Sequence, residues 1–218
     1  MDVTARLERL LDRTDRLHRV TARLSTALHK SEVAEIVVDE GATALGAISG
    51  GLWRFDSVAQ RLLLVRATNF PPEAIASVES VPLDPEIPIA DAALRREPVW
   101  LSSRADYEAR YGASASRTRE MTKPPNFAVA ALPLLLRDQL LGVLSLTFSG
   151  DHVFDDDERS YLAFLALHCA QAFERVRLYA AAQVGRERAT FLARASALLG
   201  SSLDYEDTLR NVAALAVP

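Results

Sequence analysis

Residues 127–148 read FAVAALPLLLRDQLLGVLSLTF, and this stretch constrains the fold more than any other. Phe127 to Leu136 is the longest apolar run in the chain, and a second run, Leu140 to Phe148, follows the polar Arg137-Asp138-Gln139. Two strand-length apolar runs around a polar turn predict a long β-hairpin, with Asp138 as the turn former. Phe127 to Leu136 also contains Pro133 and is too short to cross a bilayer. The hairpin therefore belongs in a protein core.

The flanks of the chain read as helices. Leu10, Leu17 and Leu24 recur every seven residues, with Leu7, Thr14, Thr21 and Leu28 at the alternate spacing, a seam of about three heptads. Such a stripe serves equally for a helix packed on its own domain or for a parallel dimer helix. Ser31 is an N-cap candidate for a short helix that reaches about Leu45, with Gly46 as its stop. Ile48 to Phe55 and Arg61 to Asn69 then read as strands around a turn at 56–60, and Gly50-Gly51 within the first marks a bulge or close packing. Pro71 to Ser80 predicts a short helix, Val81 to Asp84 a short strand, Ile89 to Glu97 a helix and Val99 to Ser102 a strand. Residues 103–125 are loosely helical in pattern. After Asp155 to Asp157, an acidic helix start, Leu162, Leu165, Cys169, Ala172, Val176 and Tyr179 hold an a/d spacing. The helical pattern runs past Gly185, a possible joint, to a stop at Gly200, longer than one globular domain needs.

Composition narrows the function. The formal net charge is −4, without the basic surplus of a nucleic-acid-binding chain. One cysteine, Cys169, excludes a disulfide framework and a four-cysteine zinc site. The start, MDVTARLERLLDR, has no apolar signal region, so a cytoplasmic protein without membrane contact by this fragment is expected. Residues 22–28 (ARLSTAL) and 193–199 (ARASALL) are alike, and each precedes a cap candidate, Ser31 or Asp204, and a short amphipathic helix. The expected organisation is an N-terminal helix over 1–30, a domain over 18–180, a connector helix over 181–200 and the truncated start of a second, similar domain over 201–218.

Pro133-Leu134, the charged turn at Arg137, Gly142-Val143-Leu144, then Phe154, Asp157-Glu158 and a helix follow one another as they do in GAF domains. Over residues 18–180 the chain resembles that family. The resemblance implies an α+β fold, a central antiparallel sheet with helices mainly on one face and long N- and C-terminal helices. It also implies a regulatory sensor or relay module of a bacterial signalling protein, a sensor histidine kinase first of all. The alternatives are the effector or dimerisation domain of a transcription regulator and the regulatory domain of a PP2C-type phosphatase. The tail FLARASALLGSSLDYEDTLRNVAALAVP resembles the start of a second GAF domain. Subtypes of the family can be tested on residues. Cys169 lies in an a/d slot of the terminal helix and reads as core, not as a bilin attachment point. One cysteine does not support a free methionine sulfoxide reductase. Asn126-Phe127 lacks the lysine and acidic partners of the cyclic-nucleotide signature. His18, His29, His152 and His168 are scattered, none in a phosphoacceptor setting, and axial haem ligation by one of them stays open. No catalysis is expected in this chain, the cofactor is unknown, and the expected partners are a second copy and a small-molecule ligand.

The candidate ligand site follows from the aromatics. Trp53, Phe55, Phe70 and Trp100 fall in or at the ends of predicted strands, and Tyr107 and Tyr111 share one helical face. Arg104, Arg110, Arg117, Arg119 and Lys123 crowd the same segment. The expected pocket lies between the sheet face of Trp53 and the segment Arg104 to Tyr111, with Arg104 or Arg110 pairing a carboxylate or phosphate. The plainer alternative is a solvated surface segment over an ordinary core.

Overall fold

A computed structural model describes residues 19–27, 29–41, 45–112 and 126–201. Leu7, Leu10, Leu17 and Leu28 of the leucine seam, the basic residues Arg117, Arg119 and Lys123, and the tail over 202–218 lie outside the described residues.

The predicted hairpin forms as β5 (Phe127–Leu136) and β6 (Gln139–Ser149). Its turn is Arg137-Asp138, both left-handed at φ 47° and 62°. Two successive positive φ values define a two-residue type I′ turn, whose twist matches that of the strands. The guanidinium of Arg96 braces it by donating to the Asp138 carbonyl at 2.9 Å. Asn-Gly is the pair best suited to this backbone. The double variant Arg137→Asn, Asp138→Gly is therefore expected to stabilise the domain by about 1 kcal/mol, read as a higher urea midpoint.

Four more strands complete one antiparallel sheet: β1 (Ser49–Asp56), β2 (Arg61–Thr68), β3 (Ser80–Pro82) and β4 (Val99–Leu101), in the order β3-β2-β1-β6-β5-β4. The hairpin occupies the middle, so it is apolar on both faces. The β1–β2 turn is held by Asp56, whose Oδ1 accepts from the amides of Val58 and Ala59 at 3.1 and 3.0 Å. In β6, Leu141 is an extra residue opposite β5, since Leu134 pairs with Gly142 and Leu135 with Leu140. This bulge reverses the alternation along β6, so Leu140 packs in the layer of Val143 and Leu141 in the layer of Leu144.

Side-chain alternation splits the core into two layers. Leu52, Leu132, Leu134, Leu144 and Leu146 face one layer, which is filled by the long elements. These are α1 (residues 19–26), α2 (Lys30–Glu35) with its π-helical continuation Ile36–Glu40, and α6 (Asp156–Ser201). Helix α2 starts one residue ahead of the expected cap. His29 is the N-cap, and Ser31 lies within the first turn. The wider π turn leaves Ile36, Val37 and Val38 all buried. The Arg175 guanidinium donates to the Leu24 carbonyl and ties α6 to α1.

The heptad stripe of α6 packs inside the domain. Leu162, Leu165, Cys169, Ala172 and Val176 are all buried in this layer, as is Leu24 of α1, whereas Tyr179 is half exposed. The opposite layer carries α3 (Pro72–Val78), α4 (Pro88–Arg95) and α5 (Arg104–Tyr111). Short helices thus cover this face.

The chain divides into two compact units, Met1–Val176 and Arg177–Pro218. In the second unit the described residues are helical, continuous through Gly185, with Leu178, Val184, Phe191 and Leu192 exposed. Among the described residues, no helix is long and apolar enough to cross a membrane.

Candidate functional site

Trp53 lies at the floor of the second layer. Odd positions of β1 point to this face, so the fully buried indole extends back over Gly51 and its Nε1 donates to the Val78 carbonyl at 2.8 Å. A Cβ at Gly51 would lie 2.3 Å from the ring, so the close packing expected at Gly50-Gly51 is present, with a register shift at Leu52/Trp53 beside it. Phe70 meets the indole edge-on at 6.4 Å, and Phe55 packs into the same layer.

Beside the indole the sheet floor is hydroxylated. Ser49 and Thr147 face each other in the β1–β6 register, and Ser145 lies opposite Gly51. All three are buried, an unusual concentration of hydroxyls on an otherwise apolar face.

The wall opposite is built by α4 and α5. Helix α4 begins with Pro88 and buries Ile89, Ala90, Ala92 and Ala93. Asp91 sits among them with its side chain only 3% exposed. Three donors converge on its carboxylate: Arg95 Nε at 2.6 Å, the Arg110 guanidinium at 2.8 Å and the Tyr111 hydroxyl at 2.8 Å. Burial by itself raises the Asp91 pKa. The hydrogen bonds from Arg95 and Tyr111, with the charges of Arg110 and Arg95, outweigh it and hold the carboxyl below its ordinary value. Burial and the adjacent carboxylate push the Tyr111 hydroxyl far up, so it remains a proton donor. The Tyr107 ring lies between Tyr111, tilted at 5.2 Å, and Phe127, edge-on at 5.6 Å.

Seven of the eight expected site residues therefore share this layer or its α5 wall. Trp53, Phe55, Phe70, Tyr107 and Tyr111 come together, Arg110 binds Asp91, and Arg104 turns along its own helix to Glu108 at 2.9 Å. Trp100 does not join them. Val99 and Leu101 of β4 take the second layer, so alternation sends Trp100 to the first, against Phe154 at 5.2 Å. Both arginines expected to meet an external anion already hold internal carboxylates. Asp91 and the three hydroxyls were absent from the expected site. The available signal for Asp91 was an acid in the middle of the apolar PIADAAL, with Arg95 four residues on.

Cys169 is fully buried in the other layer, and burial raises its thiol pKa strongly, so it is held as an inert thiol. Among the described residues, no three His, Cys, Asp or Glu side chains are grouped to hold a metal.

Known structures share this architecture. The GAF domain from a phosphoenolpyruvate-protein phosphotransferase of Coxiella burnetii superposes with a TM-score of 0.67 at 20% identity, over 78% of this chain and 98% of that one. Free methionine-R-sulfoxide reductase of Neisseria meningitidis, solved with its substrate, gives 0.62 at 16%, over 77% and 91%. A domain assigned to a two-component sensor histidine kinase of Sinorhizobium meliloti gives 0.55 at 18%, over 70% and 95%. At such identities the likeness is one of fold. No curated protein matches the sequence. The GAF domain family model matches residues 27–174. That span takes in the whole sheet and helices on both of its faces, so this chain belongs to the GAF domain family.

Proposed function

We propose that this GAF domain is the ligand-sensing or relay module of a cytoplasmic bacterial sensor histidine kinase, itself without catalysis. The observation that carries the reading is helix α6. Up to Val176 it forms part of the domain core, and the same helix continues to Ser201 with its side chains over 177–197 almost all exposed. A helix anchored in a sensor core and continued beyond it is suited to pass on a change of position. The hydroxyl floor, Trp53 and the Asp91 cluster form the recognition layer. Residues 181–200 act as connector, and residues 201–218 as the start of a second GAF-like domain. The likeness to the domain assigned to a Sinorhizobium meliloti sensor histidine kinase supports the kinase context.

The working unit in this reading is a homodimer. The inward stripe of α6 is used by the domain itself, but Phe164 and Leu167 are exposed on the same helix at 41% and 43%. Sedimentation at micromolar concentration should give twice the chain mass, and Leu167→Asp should return it to one. The sensing claim is tested by Trp53 fluorescence and thermal shift against a metabolite library. The expected hits stabilise the chain, and Arg110→Ala or Ser145→Val weakens them. Hits insensitive to both variants would place recognition elsewhere.

A further inference from the structure

We propose that the β4–α5 corner is a coupling joint, in which Ser102, Asp106 and His152 tie helix α5 to a docked first turn of α6 through the buried carboxylate of Glu158. The inference rests on the sensor reading and concerns how its recognition layer is linked to the helix on the other face of the sheet.

The two sides meet at a three-residue edge strand. Helix α5 is capped by Ser103, whose Oγ accepts from the Asp106 amide at 3.1 Å, and Asp106 Oδ2 accepts in turn from the Ser102 amide at 3.0 Å. The carbonyl of Ser102 accepts from the His152 amide at 2.8 Å. The His152 ring stacks on Phe148 at 4.4 Å and 19°, and its Nε2 faces both Glu158 oxygens at 2.9 and 3.0 Å. A carboxylate only accepts, so that nitrogen carries the hydrogen. One residue earlier on β4, Leu101 belongs to the α5 side, while Trp100 packs on Phe154 and beneath the Arg159 guanidinium of α6 at 5.4 Å. A shift of β4 therefore moves contacts on both faces together.

Glu158 makes the docked turn a two-state element. Its side chain is 6% exposed, and a carboxylate so withdrawn from water needs its partner. Without the His152 contact the first turn of α6 must lift to return Glu158 to solvent. The far end of α5 is held by Tyr111 on Asp91, so loosening that end slackens the Ser102–Asp106 cap, and undocking Glu158 acts in the reverse direction.

Hydrogen exchange on the full chain tests the joint without any ligand, so its outcome is separate from that of the metabolite screen. Tyr111→Phe should speed exchange at residues 156–162, and His152→Gln should speed it at 104–111, each by about fivefold, with β1 and β2 unchanged. The Asp106→Asn variant, which weakens the middle of the chain of contacts, should raise both. Effects confined to the mutated side, or an equal rise in β1 and β2, would overturn the proposal.

Discussion

Replacing Asp91 with alanine is expected to lower the unfolding free energy of the domain by about 3 kcal/mol. The carboxylate is nearly fully buried and serves three donors, so its removal strands the Tyr111 hydroxyl in the layer and leaves the two guanidinium groups facing one another. Arg95 is 60% exposed and turns to water at little cost, which keeps the loss below that of a wholly buried pair. Asp91→Asn keeps the shape and one acceptor and should cost less than half as much. The same residue gives the domain an acid sensitivity with a defined sign. Its folded pKa lies below the ordinary 3.8. Its charge-dependent contribution is therefore complete above that value and is lost as pH falls through the lowered folded pKa. Urea midpoints of the native chain and of Asp91→Asn should differ by a constant amount between about pH 5 and 7 and converge below about pH 4. A difference that persists undiminished at low pH would show that the hydrogen-bonding pattern of the carboxyl group, and not its charge, is what Asp91 supplies.

The parts of this fold that were legible in the sequence are those decided by local chemistry. The β5–β6 hairpin can be read because three polar residues, Arg137 to Gln139, interrupt two runs of apolar residues, and the type I′ turn is made from the first two of them. Proline at the start of α3 and α4, acids at the start of α6 and the glycines under Trp53 act in the same local way. The assignment of faces was harder. Trp100 and Trp53 look alike in the sequence, since both are aromatic and in strands, yet the alternation Val99-Trp100-Leu101 separates Trp100 from the apolar pair beside it. The α6 stripe illustrates a deeper limit. A period of three and four residues marks a face that needs a partner, and Leu162, Leu165 and Cys169 find theirs in the sheet of the same chain. The role of Asp91 is hidden in the sequence, because an acid in a short helix is usually solvated. Only the fold brings Arg110 and Tyr111 to it, 19 and 20 residues further along the chain.

Substitution of two glycines beside Trp53 should destabilise the domain in ways that depend differently on the indole, and the difference reports what each one touches. A Cβ at Gly142 would fall 2.1 Å from the Trp53 carbonyl oxygen, and one at Gly51 would fall 2.3 Å from the far edge of the Trp53 indole. The first clash is with the backbone of the central strand pair, which cannot yield without opening the β1–β6 ladder. Gly142→Ala is therefore expected to cost at least about 3 kcal/mol in any background. The second clash is with a side chain that is itself immobilised, buried on all sides and bonded to Val78. Gly51→Ala should cost about 2 kcal/mol in the native chain. Combined with Trp53→Leu, which removes the ring, it should become close to neutral, because the alanine then occupies space the indole has left. Urea unfolding of the two single variants, of Trp53→Leu and of each pair gives two thermodynamic cycles. The Gly51 cycle should show a coupling of about 2 kcal/mol and the Gly142 cycle almost none. Equal coupling in both would mean that the indole, and not the strand backbone, sets the need for glycine at Gly142.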